Sequence, residues 1–300
     1  MRELAIISGK GGTGKTSIAA SLAVLAGRVV LADCDVDAPN LALVLGVHTE
    51  RTQPFSGGAE ARIDPDRCTA CGRCAEACRF GAIRCDGSPN EGSGATYSVD
   101  ALACEGCGVC QLVCPADAVT LSDVQTGQWF ISRTARGPVV HARLAPAAEN
   151  SGKLVSLVRR EARSQAERHG LELVLIDGPP GIGCPVIASI NSADAALVVT
   201  EPSRSGLHDL KRICELTAHF RIPTWVCVNK FDLSEALTRL IEREAERLGA
   251  RTVGRISYSP SVTAAQLAGT TVVERGDGCV VKQVEALWSV AREALFEKSG

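Results

Sequence analysis

The chain has 300 residues, 45% of them hydrophobic, with 32 basic against 34 acidic side chains and a formal net charge of −2. That length accommodates a large α/β domain with or without a smaller second one. The even charge balance offers no basic surplus for nucleic acid or an anionic membrane, so neither is expected as a partner.

The chain opens on a short apolar run at residues 4–8 that enters a glycine loop. It lacks the length and cleavage pattern of a signal peptide. No run reaches the roughly 18 apolar residues that cross a bilayer, so a cytoplasmic protein is expected. Periodicity predicts a strand at 4–8, a helix at 15–26, a strand at 29–33 and a short helix ending near Gly46, which is a parallel βαβ start. From about residue 48 the composition turns to Gly, Pro, Ser, Cys and charge, and it reads as irregular to about 121. Strand-like pieces at 129–132 and 139–143 then read as a hairpin leading back to the core.

Alternation resumes with a helix at 153–169, strands at 173–177 and 195–200, and a helix at 207–220. A strand at 225–229, a helix at 234–248, a short strand at 252–256 and a core-packed terminal helix through 296 follow. Apolar strands such as LVLID and AALVVT predict a parallel sheet covered on both faces. The expected fold is therefore an α/β parallel-sheet core, residues 1–59 and 123–300, interrupted by a small α+β domain at 60–122.

Gly9-Lys10-Gly11-Gly12-Thr13-Gly14-Lys15-Thr16 satisfies G-x4-G-K-[ST] between a strand and a helix. Such a P-loop lets successive N–H groups converge on phosphate oxygens, and the helix beginning at Lys15 and continuing through Ser17 adds its positive end. Lys15 is expected on the β- and γ-phosphates and Thr16 on Mg2+. An ordinary glycine turn is the alternative.

Lys10 is not required by that pattern. With it, the sequence resembles the deviant Walker A ATPases, the family that includes MinD, the Mrp-type cluster carriers and the nitrogenase iron protein. The resemblance implies that Lys10 reaches the nucleotide of a second subunit, hence a homodimer, or a dimer with a close paralogue, through the nucleotide face. It implies that Asp35, in Asp33-Cys34-Asp35-Val36-Asp37, orients the attacking water, and that Asp177, in LVLIDGPPG, holds the Mg2+ shell. Strand-end aspartates also serve as helix caps. Asn229, opening Asn229-Lys230-Phe231-Asp232, is implied to contact adenine. The same four residues spell the guanine-reading N-K-x-D pattern, while Lys10 and the resemblance as a whole favour ATP.

Nine of the 14 cysteines lie between Cys68 and Cys114. Without an export signal the cytosol keeps thiols reduced, so metal is a better reading than disulfides. Cys68-x2-Cys71-x2-Cys74-x3-Cys78 and Cys104-x2-Cys107-x2-Cys110-x3-Cys114-Pro115 form an internal repeat. A shift of 36 residues superposes all four cysteines, Asp64 on Asp100 and Ile83 on Val119. The spacing resembles that of bacterial two-cluster ferredoxins, in which the fourth cysteine of each run ligates the other cluster. The implied sets are Cys68, Cys71, Cys74 and Cys114 for one 4Fe-4S cluster, and Cys104, Cys107, Cys110 and Cys78 for the other. Arg79 stands where proline is common. Zinc is the alternative, but structural zinc uses two ligand pairs with a longer spacer. Cys85 aligns with Leu121 and is not expected as a ligand. Cys34, Cys214, Cys227 and Cys279 are expected in the core, and Cys184, past Asp177, is either a transient metal contact or inert.

Three functions fit these motifs. The first is an ATP-gated electron-transfer protein acting on a redox partner. The second is an ATP-dependent metallocluster carrier or maturation factor that delivers to an acceptor. The third, a positioning ATPase, is weakened by a C-terminus without the basic face of a membrane-targeting helix.

Overall fold

The structure, a computed structural model, describes residues 1–87, 95–146, 151–275 and 278–296. In chain order the elements are β1 (Arg2–Ser8), α1 (Lys15–Ala26), β2 (Val30–Asp33), α2 (Leu41–Leu45), β3 (His48–Ile63), α3 (Arg73–Ala77), β4 (Ile83–Asp86) and β5 (Thr96–Val99). Then come α4 (Val109–Leu112), β6 (Val119–Thr134), β7 (Gly137–Leu144), α5 (Ser151–His169), β8 (Leu173–Pro180), α6 (Cys184–Ile190), β9 (Ala195–Thr200) and α7 (Arg204–His219). The last are β10 (Thr224–Asn229), a 3-10 turn (Phe231–Leu233), α8 (Glu235–Arg247), β11 (Arg251–Ile256), α9 (Pro260–Leu267), α10 (Val272–Arg275) and α11 (Gly278–Phe296).

The main sheet has strand order β11-β10-β9-β1-β8-β2-β7-β6-β3. Every pairing from β11 through β7 is parallel. β6 and β7 are joined by two residues, too few for a crossover, so they form an antiparallel hairpin. Thr134 Oγ1 closes the turn by accepting from Arg136 N and Gly137 N at 3.1 and 3.2 Å. Gly137 has φ +147 and lies against the Val29 carbonyl, where a Cβ would come within 2.2 Å.

The central strands read as continuous apolar runs because both faces are covered, and β1, β2 and β9 are almost wholly buried. α1 is a good helix sequence, KTSIAASLAVLA, rich in Ala and Leu. It starts after Gly14 in the left-handed region and ends at Gly27, φ +77, whose N–H bonds Ala23 O. Its Ile18 and Leu22 pack with Leu4, Ile6, Leu175 and Leu197 and with Val284, Leu287 and Trp288 of α11. Each such side chain contributes about 1.5–3 kcal/mol on burial, so Leu22→Ala costs about 2–5 kcal/mol. This core fixes the carboxyl ends of β1, β2, β8 and β9 as one row.

The chain divides into two compact units, one of Met1–Gln53, Trp129–Arg143 and Ser151–Gly300, the other of Pro54–Gln128 with a short piece from Leu144. The cut points fall inside β3 and β6. The region read from the sequence as irregular, residues 48–121, therefore carries a whole 16-residue strand at its start, and a second 16-residue strand begins at its end.

The second unit is built on the 36-residue repeat. α3 and α4 occupy matching places, as do the left-handed residues Ala70 and Gly106, Gly72 and Gly108, and Gly81 and Asp117. The two frames exchange backbone bonds: Asp64 N donates to Ala118 O at 2.8 Å and Asp100 N to Ala82 O at 2.7 Å. Gly106 cannot carry a side chain, because a Cβ would lie 2.0 Å from Ala59 O. A small core of Ala61, Cys74, Ile83, Cys110 and Val119 forms around these exchanges.

Candidate nucleotide and thiol sites

The loop between β1 and α1 turns through Gly12 and Gly14, at φ +80 and +86. Glycine is also required at 9 and 14 by close approach, since a Cβ would lie 2.2 Å from Asp209 Cβ and 2.4 Å from Asn229 Nδ2 respectively. Gly11, Gly12, Thr13, Gly14, Lys15, Thr16, Ser17 and Asp35 line one cleft of about 620 Å3. The N-terminal turn of α1 opens into it, which is the arrangement that binds phosphate.

Behind the loop lies a buried charge cluster. Lys15 Nζ donates to Asp177 Oδ1 at 2.5 Å and reaches Thr16 Oγ1 at 3.5 Å. β2 and β8 register Asp33 directly beside Asp177. Burial pushes the Asp33 carboxyl up to about 8, the Asp177 charge adds to this, and Lys15 and the N–H groups of Leu41 and Asp35 oppose it. Burial also raises Asp35, against the pull of Lys15. Asp177 Oδ2 and Thr13 Oγ1 are buried without a hydrogen-bond partner. An orphaned carboxylate oxygen beside a cleft lined by Thr16 suits a hard cation with oxygen ligands, so the residues fit Mg2+.

Lys10 is held within its own chain. Its Nζ donates to Glu201 Oε1 at 2.6 Å, Ser205 Oγ at 3.0 Å and Ser203 Oγ at 3.2 Å. Lys230 Nζ takes the other Glu201 oxygen at 3.1 Å and the Gly12 carbonyl at 2.9 Å. Burial raises the Glu201 carboxyl, but the bonds from Lys10 and Lys230 outweigh it and hold it below its ordinary value. Nothing in the sequence motifs points to Glu201, Ser203 or Ser205.

A second cleft of about 280 Å3 shares Gly12, Gly14, Ser17 and Gln266 with the first, and continues between Asn229, Tyr258, Val262 and Val284. Asn229 borders it, while its Nδ2 is bonded to Thr13 O at 2.7 Å. The loop after β11 forms the far wall: Gln283 Oε1 accepts from Ser257 N and Oγ at 2.9 and 2.8 Å, and Asp232 Oδ1 accepts from Tyr258 N at 2.7 Å. Sequence reading missed Tyr258, Gln266 and Gln283, which lie outside any spacing rule.

In the other unit two cavities are each lined by four cysteines. One has Cys68, Cys71, Cys74 and Cys114, and the other Cys78, Cys104, Cys107 and Cys110. Left-handed turns at Gly72 and Gly108 start α3 and α4 and aim Cys74 and Cys110 inward, both buried. Burial pushes both thiols up. Among the described residues no three His, Cys, Asp or Glu side chains are placed to hold a single metal ion. Cys85 is exposed. Cys34, Cys214 and Cys227 are buried, whereas Cys279, expected in the core, is exposed at the start of α11. Cys184, at the start of α6, is exposed as well.

A parallel sheet whose first strand runs into a phosphate-binding loop, flanked by strand-end aspartates, defines a P-loop ATPase. The chain belongs to the CobQ/CobB/MinD/ParA nucleotide binding domain family, whose model matches residues 4–272. It is 34% identical over 231 residues to uncharacterized protein MJ0578 of Methanocaldococcus jannaschii, covering 76% of this chain and 78% of the relative. It is 27% identical over 228 residues to the iron-sulfur cluster carrier protein of the same organism, 74% of this chain and 57% of that one. In fold it resembles the septum site-determining protein MinD of Pyrococcus horikoshii, solved with Mg-ADP. The TM-score is 0.59 and the identity 18%, covering 98% of this chain and 96% of that one. No helix among the described residues is long and apolar enough to cross a membrane.

Proposed function

We propose that this ATPase couples its nucleotide state to electron transfer through two 4Fe-4S clusters held by an inserted ferredoxin-like domain at about residues 60–122. The observation that carries this reading is the sorting of eight cysteines into two cavities. Each cavity takes three thiols from one repeat and the fourth from the other. Four thiols facing a cavity suit a polynuclear group, and all-cysteine donors suit iron and sulfide. When bound, such clusters supply one-electron storage.

In the nucleotide site Lys15 would bind phosphate, Thr16 and Asp177 would hold the Mg2+ shell, and Asp35 would orient the water that attacks. Lys10 would leave Glu201 to meet the nucleotide of a second subunit, making the active form a dimer. A chain whose described cysteines form no disulfide suits a reducing compartment, which supports a cytoplasmic location.

The test is purification without air, with iron and sulfide quantified and low-temperature EPR recorded with and without Mg-ATP. Eight irons per chain and a nucleotide-dependent spectrum are expected. A colourless preparation holding zinc in place of iron would overturn the reading.

A second reading, an ATP-dependent cluster carrier, is favoured by the relative named iron-sulfur cluster carrier protein and by the exposure of Cys184 just past β8. It requires a third, labile iron pool that disappears in Cys184→Ser. Eight tightly held irons unaffected by nucleotide would exclude it.

A further inference from the structure

We propose that the two four-thiol sites are electronically unequal, with the site of Cys68, Cys71, Cys74 and Cys114 taking an electron first because the Tyr97 hydroxyl lies against it. The inference rests on the iron-sulfur reading above and concerns this chain's own residues around each site.

The internal repeat supplies the comparison, because each lining residue of one cavity has a partner 36 positions away. Ile63 and Val99, Ala118 and Ala82, and Val119 and Ile83 are conservative pairs that line the two cavities alike. Two pairs break the equivalence. Tyr97 lines the first cavity where its partner Ala61 lines the second, and Thr69 stands where the second has Glu105. The second cavity is closed further by Phe80.

Tyr97 is half-buried in β5, and its phenol oxygen lies over the Cys71–Cys74 turn. A Cβ built on Gly72 would come within 3.0 Å of that oxygen. Across the β4–β5 ladder Cys85 is registered against Tyr97, and its own Sγ donates to Gly87 O at 3.6 Å. The first site thus has a neutral hydroxyl dipole at its edge, and the second has the Ala61 methyl in the same place.

Adding an electron adds one negative charge. A hydroxyl dipole stabilises that charge, whereas an apolar wall gives it nothing and a carboxylate opposes it. Glu105 is exposed, so solvent and salt screen its effect and Tyr97 is the larger contributor. In the step itself a low-potential one-electron reductant loses one electron and the first site gains it, with no bond made or broken.

The test is an EPR-monitored redox titration of the full-length protein, purified without air, together with Tyr97→Phe and Glu105→Gln, all after iron quantification. Wild type should hold eight irons and titrate in two steps. The electron should favour one site at least tenfold, which is about 59 mV for a one-electron couple. Tyr97→Phe should lower the upper step alone and Glu105→Gln should raise the lower step alone, each keeping eight irons. Eight irons titrating as a single wave, or a Tyr97→Phe shift confined to the lower step, would overturn the inference and leave the iron-sulfur reading standing. Absence of iron from the wild type would remove both.

Discussion

Lys15 Nζ sits 2.5 Å from Asp177 Oδ1, with the two side chains only 6% and 1% exposed. Asp33 lies beside Asp177 in the neighbouring strand, so one ammonium faces two buried carboxyls. Removing one partner of a buried pair leaves the other uncompensated. Lys15→Ala is therefore expected to lose about 3–5 kcal/mol of stability as well as Mg-ATP binding. Denaturant melts and a nucleotide titration check both effects, and a variant as stable as wild type would contradict the account.

Lys10 and Glu201 form the second testable relationship. Lys10→Ala is expected to bind ATP with near wild-type affinity, because Lys15 still meets the phosphates, but to lose ATP-dependent pairing. Its hydrolysis should fall about 100- to 1,000-fold, the usual effect of removing one charge-stabilising donor. Light scattering with a non-hydrolysable analogue and phosphate release measure the two separately.

The thiol sorting predicts an uneven response to single substitutions. Cys114→Ser should lower iron from eight to about four per chain, because it opens the cavity of Cys68, Cys71 and Cys74 and leaves the other four thiols in place. Cys85→Ser should retain all eight. Parallel iron and sulfide assays on the two variants decide the matter.

The wall of the narrower nucleotide cleft depends on Gln283, which anchors both polar groups of Ser257. Gln283→Ala should weaken ATP binding about tenfold, the equivalent of one or two lost hydrogen bonds at about 1 kcal/mol each. Asp232 is committed to Tyr258 N. On the ATP reading, GTP should compete poorly with a labelled ATP analogue.

His141 gives the pH dependence. Burial, with a smaller contribution from Arg143, lowers its imidazole from 6.5 to about 4. It bonds Ser132 Oγ at 2.8 Å and stacks on Phe130. Below pH 6.5 the unfolded chain binds a proton that the folded chain refuses, so stability falls as pH drops from about 6.5 towards 4. His141→Phe should flatten that segment of a stability-versus-pH curve.

The P-loop, the positions of the parallel strands and both cysteine runs were legible because spacing rules act on adjacent residues, whereas the order of the strands in the sheet was not. β3 was not. Its RTQPFSGG stretch carries Pro54, Gly57 and Gly58, which locally signal a loop, and the strand exists only through pairing that no local window contains. The partners of Lys10 escaped for a related reason, since Glu201 is 191 positions away and lies in no motif. Lys10 stood out in the sequence for its position, but its resting partner depends on β1 and β9 being neighbours.

The swapped fourth thiol has an ancestral consequence. A solitary 36-residue frame folded this way would furnish three thiols to one cavity and project its last into a cavity it does not own. Such a peptide could complete a set of four only by associating with a second copy, each lending an arm to the other. Fusing two copies in tandem makes that association intramolecular, after which the halves are free to diverge, as Tyr97 and Ala61 have done, while neither can be deleted alone.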